Sequence, residues 1–541
     1  MVLVAGLWSG HDTSCCVLEN GRPVCHIELE RHNREKEAFG DSIELLKSHY
    51  KDWKKIDRFV GCFPIKKLTQ YEESYKSLDR GVEFIGHHQA HAAHAFYSSN
   101  FHEANVITID GGGVEDAQGS ETATTSWNGE GNRLEPSKII PSHHVNIGGL
   151  WTRVTRYIFR LQSGWPRGHQ AGTVMAMAAF GQHPEKYVED FRRMLRSDIM
   201  PASMKPAGQT NPICIPGGDP VHPYLDPWVK IADRSEEAKF DMAAAFQIAT
   251  EEYVYELLES FLKKLPQSRN LCLCGGVALN SLMVGKIKKW FPKLENVYVP
   301  AVPYDGGLTL GAAQYVTHHL MNIPRVSWKK NLSPYLGKKY EENDVIEAIH
   351  ENKDKVEMDF TVTDGSVLDL IAAGKIVSVF YGRAESGRRA LGHRSIVADP
   401  RNPNMKDIVN EKVKHRQWFR PFAPSVLREE VKNWFKEDVD SPYMSFVANF
   451  TDYAKGRVPA VVHADGTARL QTVTSEDNGW WYDFIKQWYT KTGVPIVLNT
   501  SYNDTSPIVE TPAHALDCFL NTEIDYVYFP EYKILISKKQ K

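Results

Sequence analysis

Eight cysteines are spread over 541 residues, at 15, 16, 25, 62, 214, 272, 274 and 518, and no two of them make a CxxC pair. That absence excludes a zinc ribbon and gives no disulfide framework, so the thiols read as reduced core residues of a cytoplasmic protein. No run of about 18 uninterrupted apolar residues occurs, which excludes a helical membrane span. The start MVLVAGLWSG lacks the basic leader of a secretory signal. Net charge is missing too: 64 Lys and Arg against 67 Asp and Glu leave −3 and a pI near 6.7. Without an electrostatic footprint for nucleic acid or a membrane surface, an anion has to be held by local constellations. What remains is a chain of ordinary globular composition, long enough for two or three domains.

Along the chain, strands are expected at Val2–Leu7, Thr13–Leu18 and Pro23–Glu28, with the Trp8-Ser9-Gly10 turn presenting His11 and Asp12. The pattern recurs at strand Asn105–Ile109, the turn Asp110–Gly113 and a Thr-rich stretch Glu121–Trp127 that ends in Asn128-Gly129, which suggests a duplicated α/β domain. Apolar residues at 240, 244, 248, 253, 257 and 261 predict a long amphipathic helix over 239–265. Strand Leu271–Leu273 and the turn Gly275-Gly276 follow, then strand Val297–Val299, the loop Pro303–Gly307 and a helix Leu308–Val316. Residues 321–345 look like a connection, with a boundary near 340. Beyond it, helices Val345–Asn352 and Ser366–Ala373 and strands Ile376–Tyr381, Arg469–Val473 and Pro495–Asn499 predict a second α/β unit.

The run GHHQAHAAHAF places His87 and His91 on one helical face. With Asp110 they form a two-histidine, one-carboxylate set that suits iron or another divalent ion, and Asp305 is the expected fourth ligand. His88 and His94 are expected to be surface or satisfied core residues, and Asp305 has an alternative use as a helix cap. Glycine turns after strands, at 111–113, 275–276 and 306–307, let backbone N–H groups approach a phosphate. The segment GRAESGRRALGHR carries Arg383, Arg388, Arg389 and Arg394 on glycine-rich loops that suit a phosphate or acyl phosphate. A basic-aromatic helix is expected to add Lys414, Arg416 and Arg420 beside Trp418 and Phe419. The strand end VLNTSYND presents Asn499, Ser501 and Asn503, and the three segments together outline an anion pocket.

In this order the motifs SGHDTS, HHQAH, ITIDGGG, CGGVALN, PYDGG, GRRALGHRS, VKHRQWFRPFAPSV, GTARLQTV and VLNTSYN resemble the O-carbamoyltransferases of nodulation-factor and antibiotic-tailoring pathways over nearly the whole chain. The resemblance implies an actin-like Kae-type domain over 1–340, a duplicated RNase H-like fold, joined to a YrdC-like α/β domain over 341–541. It implies that carbamoyl phosphate and ATP give carbamoyl adenylate in the second domain, and that a hydroxyl of a small-molecule natural product takes the carbamoyl group in the first, releasing AMP. His87, His91, Asp110 and Asp305 would hold Fe²⁺, or Mg²⁺ or Mn²⁺. Gly111, Gly112, Gly113, Gly275, Gly276, Gly306, Gly307 and Asn280 would line the nucleotide. His11 and Asp12, with Lys36 nearby, would sit at the acceptor hydroxyl. Arg389, Lys414, Arg416, Arg469, Asn499, Ser501 and Asn503 would hold carbamoyl phosphate.

Two departures fall outside these positions: TVMAMAAFG stands at 173–181 where the family has a stretch like KVMGLAPYG, and Cys15-Cys16 replaces small residues in the first hairpin. The irregular stretches 140–170 and 200–235 are the expected acceptor loops and carry no motif that names the acceptor. A monomer or homodimer is expected, without nucleic-acid or membrane partners. Competing readings explain less. A tRNA threonylcarbamoyl-adenosine enzyme needs a basic face, and a non-catalytic nucleotide sensor predicts erosion of the ligand positions. A non-haem iron oxygenase leaves the arginine-rich segment without a use, and a hydrogenase-maturation relative would carry CxxC fingers.

Overall fold

The computed structural model describes residues 1–63, 71–141, 146–162, 170–196, 225–266, 268–326 and 334–539. Cys214, most of 200–235 and parts of 140–170 and 321–345 lie outside them. The chain divides into two compact units, 1–328 and 329–541, where the expected boundary lay near 340.

In the first unit, β1 (Leu3–Trp8), β2 (Ser14–Glu19), β3 (Arg22–Glu28), β4 (Arg58–Cys62) and β5 (Glu83–Ile85) form one sheet in the order β3-β2-β1-β4-β5. The β1–β2 and β2–β3 pairs are antiparallel, and β1–β4 and β4–β5 are parallel. The second sheet holds β6 (Glu103–Val114), β7 (Glu121–Glu130), β8 (Arg133–Pro141), β9 (Asn270–Cys274) and β10 (Asn296–Tyr298) in the order β8-β7-β6-β9-β10. Its pairs repeat the same senses, strand for strand. The duplication expected from two strand–glycine–strand segments is therefore present, and it fits an actin-like fold. Five helices matter for the site: α1 (His87–Ser98), α2 (Ile147–Arg153), α3 (Glu236–Leu262), α4 (Ser281–Trp290) and α5 (Leu308–Gln314).

Three local expectations are corrected. Asp110–Gly113 is not a turn: β6 runs through it to Val114, with an irregularity in its pairing to β7 between Ile109 and Gly113 and with Gly112 at φ 131°. Nor does the Thr-rich strand end at Asn128-Gly129; β7 continues to Glu130 and the hairpin turns at Gly131, φ 56°. Residues 147–158, expected to be irregular, are helical, α2 passing into a wide turn at Val154–Ile158. The long helix α3 begins at Glu236 because the Ser235 hydroxyl accepts the Ala238 N–H.

The second unit carries a nine-stranded mixed sheet. Its strands are β11 (Val356–Asp359), β12 (Val377–Phe380), β13 (Arg394–Ala398), β14 (Ala423–Leu427), β15 (Phe446–Asn449), β16 (Thr467–Val473), β17 (Ile496–Ser501), β18 (Tyr526–Phe529) and β19 (Ile534–Lys538), in the order β11-β19-β18-β12-β13-β17-β14-β16-β15. Both faces are packed, which is why the central strands read as apolar runs. Ile396, Val426, Leu470, Ile496 and Leu498 belong to one core. Val377, Val379, Val397 and Val497 pack in another with Trp481, Phe484, Ile485 and Trp488 of α6 (Gly479–Thr492). Fully buried Phe484 and Ile485 each contribute roughly 1.5–3 kcal/mol by leaving water. The expected basic-aromatic helix stops short of its arginines and aromatics: Met405–Val409 is helical and passes into a wide turn, Asn410–Lys414, where it ends; His415 is left-handed at φ 44°, and Arg416 curls back to bond Asn410 Oδ1 and the Pro421 carbonyl. Among the described residues, no helix is long and apolar enough to cross a membrane.

Candidate functional site

The helix α1 owes its close packing to buried alanines 90, 92, 93 and 95. Against it, α5 carries Gly311, where a Cβ would come within 1.8 Å of the Ala90 carbonyl. His87 and His91, one turn apart, direct Nε2 atoms at Asp110 Oδ2, 3.1 and 3.0 Å away. The same nitrogens lie 3.6 and 3.5 Å from Asp305 Oδ1. One ligand atom from each of the four residues falls within 4.8 Å of the others, so the four form a group that can hold a metal ion. The side chains of His87, His91 and Asp305 are buried, and that of Asp110 is 13 % exposed.

Electrostatics agree with a cation-binding set. Burial works against charge on His91, but bonds to Asp110, Asp305 and Cys274 outweigh it and raise its pKa well above that of an ordinary histidine. Burial likewise favours a neutral Asp110, and the bonds from His87 and His91 reverse that and hold its carboxyl well below the usual range. The proton favoured on His91 thus stands where a divalent ion would supply charge. Of the two alternatives expected for His88 and His94, surface or core, both are buried in the core. His88 bonds Thr108 Oγ1 at 2.6 Å and the Thr122 carbonyl at 3.1 Å, and burial presses its pKa well down. His94 bonds Ser98 and Gln314, and burial lowers its pKa to about 3.

The glycines of this site have identifiable uses. A Cβ at Gly113 would stand 2.1 Å from His87 Cγ, so that position makes room for the ring. At Gly275, φ is +90° and a Cβ would meet the Ile109 carbonyl at 2.3 Å; the next residue, Gly276, donates its N–H to Asp110 Oδ1 at 3.0 Å. Gly306 offers its carbonyl to Ser14 Oγ and His26 Nε2. Asn280 is committed to local structure: Oδ1 accepts the Met283 N–H and caps α4, while its amide pairs with that of Gln247.

His11 joins this group. Its Nε2 is 3.1 Å from Asp305 Oδ2 and its Nδ1 is 2.9 Å from Asp12 Oδ2. The loop beyond β3 is tied to the same place, since Thr13 N–H donates to the Ala38 carbonyl and Gly40 N–H to Thr13 Oγ1. Lys36 is an exposed residue of that loop, and the Phe39 ring stands edge-on to His11 at 6.2 Å. Sequence reasoning missed the supports. Tyr304 donates to Glu28 Oε1 at 2.5 Å beside Asp305, and Cys274 Sγ lies 3.6 Å from His91 Nδ1. The available signal was His26 and Glu28 at alternate positions of an otherwise apolar strand.

In the second unit, Lys414 Nζ is buried against Ser501 and Asn503, bonding both carbonyls at 2.6 and 2.8 Å and Asn503 Oδ1 at 2.7 Å. Arg469 is half-buried; burial, then the guanidiniums of Arg389, Arg416 and Arg420, push its pKa well down. None of Arg416, Arg420 and Arg469 has an ion-pair partner among the described residues, so the cluster is electrostatically unbalanced in a way an anion corrects. Two arginines expected in the pocket are used otherwise. Arg383 donates to the carbonyls of Leu336 and Gly337; Arg394 donates to those of Tyr381 and Gly382 and stacks on Phe380. Asn499 is fully buried and donates to Ser425 Oγ and Gln471 Oε1, two partners the sequence did not suggest.

Comparison with known proteins gives consistent matches. A family model described as "Carbamoyltransferase N-terminus" matches residues 62–314, and one described as "Carbamoyltransferase C-terminus" matches 368–536. An uncharacterized protein of Synechocystis sp. is 33% identical over 481 residues, 83% of this chain and 75% of its own. Nodulation protein NolO of Bradyrhizobium diazoefficiens is 32% identical over 463 residues, 82% of this chain and 77% of its own. Among solved structures, full-length HypF in a phosphate- and nucleotide-bound form aligns at 15% identity over 59% of this chain and 56% of that one, with a TM-score of 0.34.

Proposed function

Because this chain belongs to the carbamoyltransferase family, and is an enzyme of that class, we propose that it is an ATP-dependent O-carbamoyltransferase working in two half-reactions. In the second unit, read as YrdC-like, carbamoyl phosphate and ATP give carbamoyl adenylate, releasing pyrophosphate and phosphate with one water consumed. Arg389, Arg416 and Arg469 hold the phosphate dianion, and Lys414, Ser501 and Asn503 form the adjoining wall, with Asn499 beside them. Arg416, Arg420 and Arg469, which have no ion-pair partner among the described residues, support this reading, because fixed planar donors match phosphoryl oxygens.

In the first unit an acceptor hydroxyl attacks the carbonyl of carbamoyl adenylate and AMP leaves. Asp12 accepts from Nδ1–H of His11 and so leaves Nε2 as the basic nitrogen. That nitrogen faces Asp305, and a hydroxyl entering there meets a base that takes its proton as the C–O bond forms. Such a base contributes roughly 10²–10⁴-fold. Lys36 and Phe39 border the entry on the neighbouring loop. Two imidazoles and two carboxylates converging in a largely buried place fit Fe²⁺, and also accommodate Mg²⁺ or Mn²⁺. When bound, the ion supplies positive charge beside the adenylate phosphate. The glycines at 111–113, 275–276 and 306–307 line the nucleotide around that set. The acceptor is a hydroxyl of a small-molecule natural product.

The observation that carries the proposal is the 3.1 Å approach of His11 Nε2 to Asp305 Oδ2, which brings the expected base beside the expected ligand set. The test is incubation of the protein with ATP, carbamoyl phosphate and Fe²⁺ in the absence of acceptor. Pyrophosphate release that requires carbamoyl phosphate is expected; its absence from folded, metal-loaded protein overturns the activation half-reaction.

A further inference from the structure

In the second unit, one buried acceptor is held in a fixed orientation and left unused. Asn499 of β17 is fully buried, and its Nδ2 lies 3.1 Å from the Ala390 carbonyl, 2.9 Å from Ser425 Oγ and 3.2 Å from Gln471 Oε1. The Gln471 amide is fixed in turn. Trp481 Nε1, which can only donate, points at Gln471 Oε1 from 3.3 Å, Ser425 Oγ donates to the same oxygen at 2.6 Å, and Gln471 Nε2 donates to the Leu391 carbonyl at 3.1 Å. Turning either amide over would set oxygen against oxygen. Asn499 Oδ1 therefore faces away from these acceptors, and no described residue donates to it.

Its surroundings are rich in donors. Alternate residues of a strand share a face, which puts Ser501 with Asn499 on β17 and Arg469 with Gln471 on β16, the two strands flanking β14. Arg469 Nε is itself buried without an acceptor among the described residues. An orphaned acceptor of fixed orientation thus shares a sheet face with a cation that calls for an anion. The matching ligand has a phosphate dianion at one end and an N–H donor at the other.

We propose that Asn499 Oδ1 receives an N–H of the carbamoyl group, and that the chain Trp481–Gln471–Asn499 selects carbamoyl phosphate against acyl phosphates that have no N–H. The inference rests on the reading of this unit as the carbamoyl-phosphate site and adds its selectivity. Gln471 and Trp481 are positioning residues that act through Asn499. Acetyl phosphate has the same charge and nearly the same shape, but its methyl leaves Oδ1 buried and unpaired, and an unmade bond of this kind is what rejects an analogue.

The test uses two stable phosphonates that differ only in NH₂ against CH₃, phosphonoacetamide and 2-oxopropylphosphonate, with inorganic phosphate as the control, titrated calorimetrically into the full chain. Wild-type protein is expected to bind phosphonoacetamide about tenfold or more tightly than 2-oxopropylphosphonate. In Gln471→Leu and Asn499→Ser that ratio is expected to fall towards one, while the phosphate affinity of Gln471→Leu stays within about twofold of wild type. Equal affinities for the two phosphonates in wild type overturn the inference even if neither variant folds, and so does a preserved ratio in either folded variant. If wild type binds none of the three anions, the carbamoyl-phosphate reading itself is wrong.

Discussion

His11 Nε2 and Asp305 Oδ2 are 3.1 Å apart, although 294 positions separate the residues in the chain (305 − 11). The first comes from the β1–β2 connection and the second from the loop before α5, so the contact links the two sheets of the first unit at one oxygen. Asp305 Oδ1 faces the histidine pair of α1, so this one carboxylate lies between His11 and the pair His87 and His91.

Replacing His11 separates its role from that of the ligands. His11→Gln is expected to lower carbamoyl transfer to an acceptor by roughly 10²–10⁴-fold while leaving carbamoyl-phosphate-dependent pyrophosphate release unchanged. Both rates can be followed in one reaction by chromatography of AMP and pyrophosphate. A parallel loss of both would place His11 outside the transfer step.

The four-residue ligand set predicts metal affinity directly. His87→Ala or Asp110→Ala should remove one equivalent of bound Fe²⁺ or Co²⁺, measured by metal analysis after anaerobic gel filtration, with the thermal transition of the second unit unmoved. Retention of a full equivalent by both variants would show that the ion binds elsewhere.

Gly113→Ala tests the packing behind that set. A methyl 2.1 Å from His87 Cγ forces the ring or α1 to shift, and overpacking of this kind costs about 1–3 kcal/mol. A lower urea midpoint together with weakened metal binding is expected. An unchanged midpoint and full metal binding would mean that the ring has room to spare.

Acid sensitivity follows from buried neutral histidines. Burial lowers the pKa of His318 and of His393 to about 4, against about 6.5 in an unfolded chain. The unfolded state therefore binds a proton first as pH falls. The stability each residue protects is complete above pH 6.5 and is lost on going down towards pH 4, at about 1.4 kcal/mol per pH unit per group. His318 acts on the first unit and His393 on the second. Urea midpoints measured at pH 7, 6 and 5 should fall accordingly, and His393→Gln should flatten the slope for the second unit alone. A pH-independent midpoint over this range would contradict the account.

The grouping of His87, His91, Asp110 and Asp305 was legible because its chemistry is local. A helical i, i+4 pair, a carboxylate at a strand end and another before a helix are visible without knowing any long-range contact. The repeated strand order was legible for the same reason, as two similar strand–glycine segments. What the sequence concealed depends on register and on close approach. Gly113 reads as part of a loop until the His87 ring is seen against it, and Asp110–Gly113 proves to be irregular strand. Glu28 is an acidic residue ending a strand until Tyr304, from a distant loop, meets it. In the second unit, Arg383 and Arg394 look identical to Arg389 in sequence, and only their backbone carbonyl partners show that they brace the loop. Asn499 was legible as a polar strand end, but its fixed amide requires Gln471 and Trp481, which the sequence places far away.

The central claim, that activation and transfer are carried by different units, is tested most directly by assaying Lys414→Ala and Asp110→Ala side by side, each for carbamoyl-phosphate-dependent pyrophosphate release and for transfer from supplied carbamoyl adenylate. The account predicts opposite losses: Lys414→Ala fails at pyrophosphate release and still transfers, and Asp110→Ala releases pyrophosphate and fails at transfer. Equal loss of both activities in two folded variants would contradict the division.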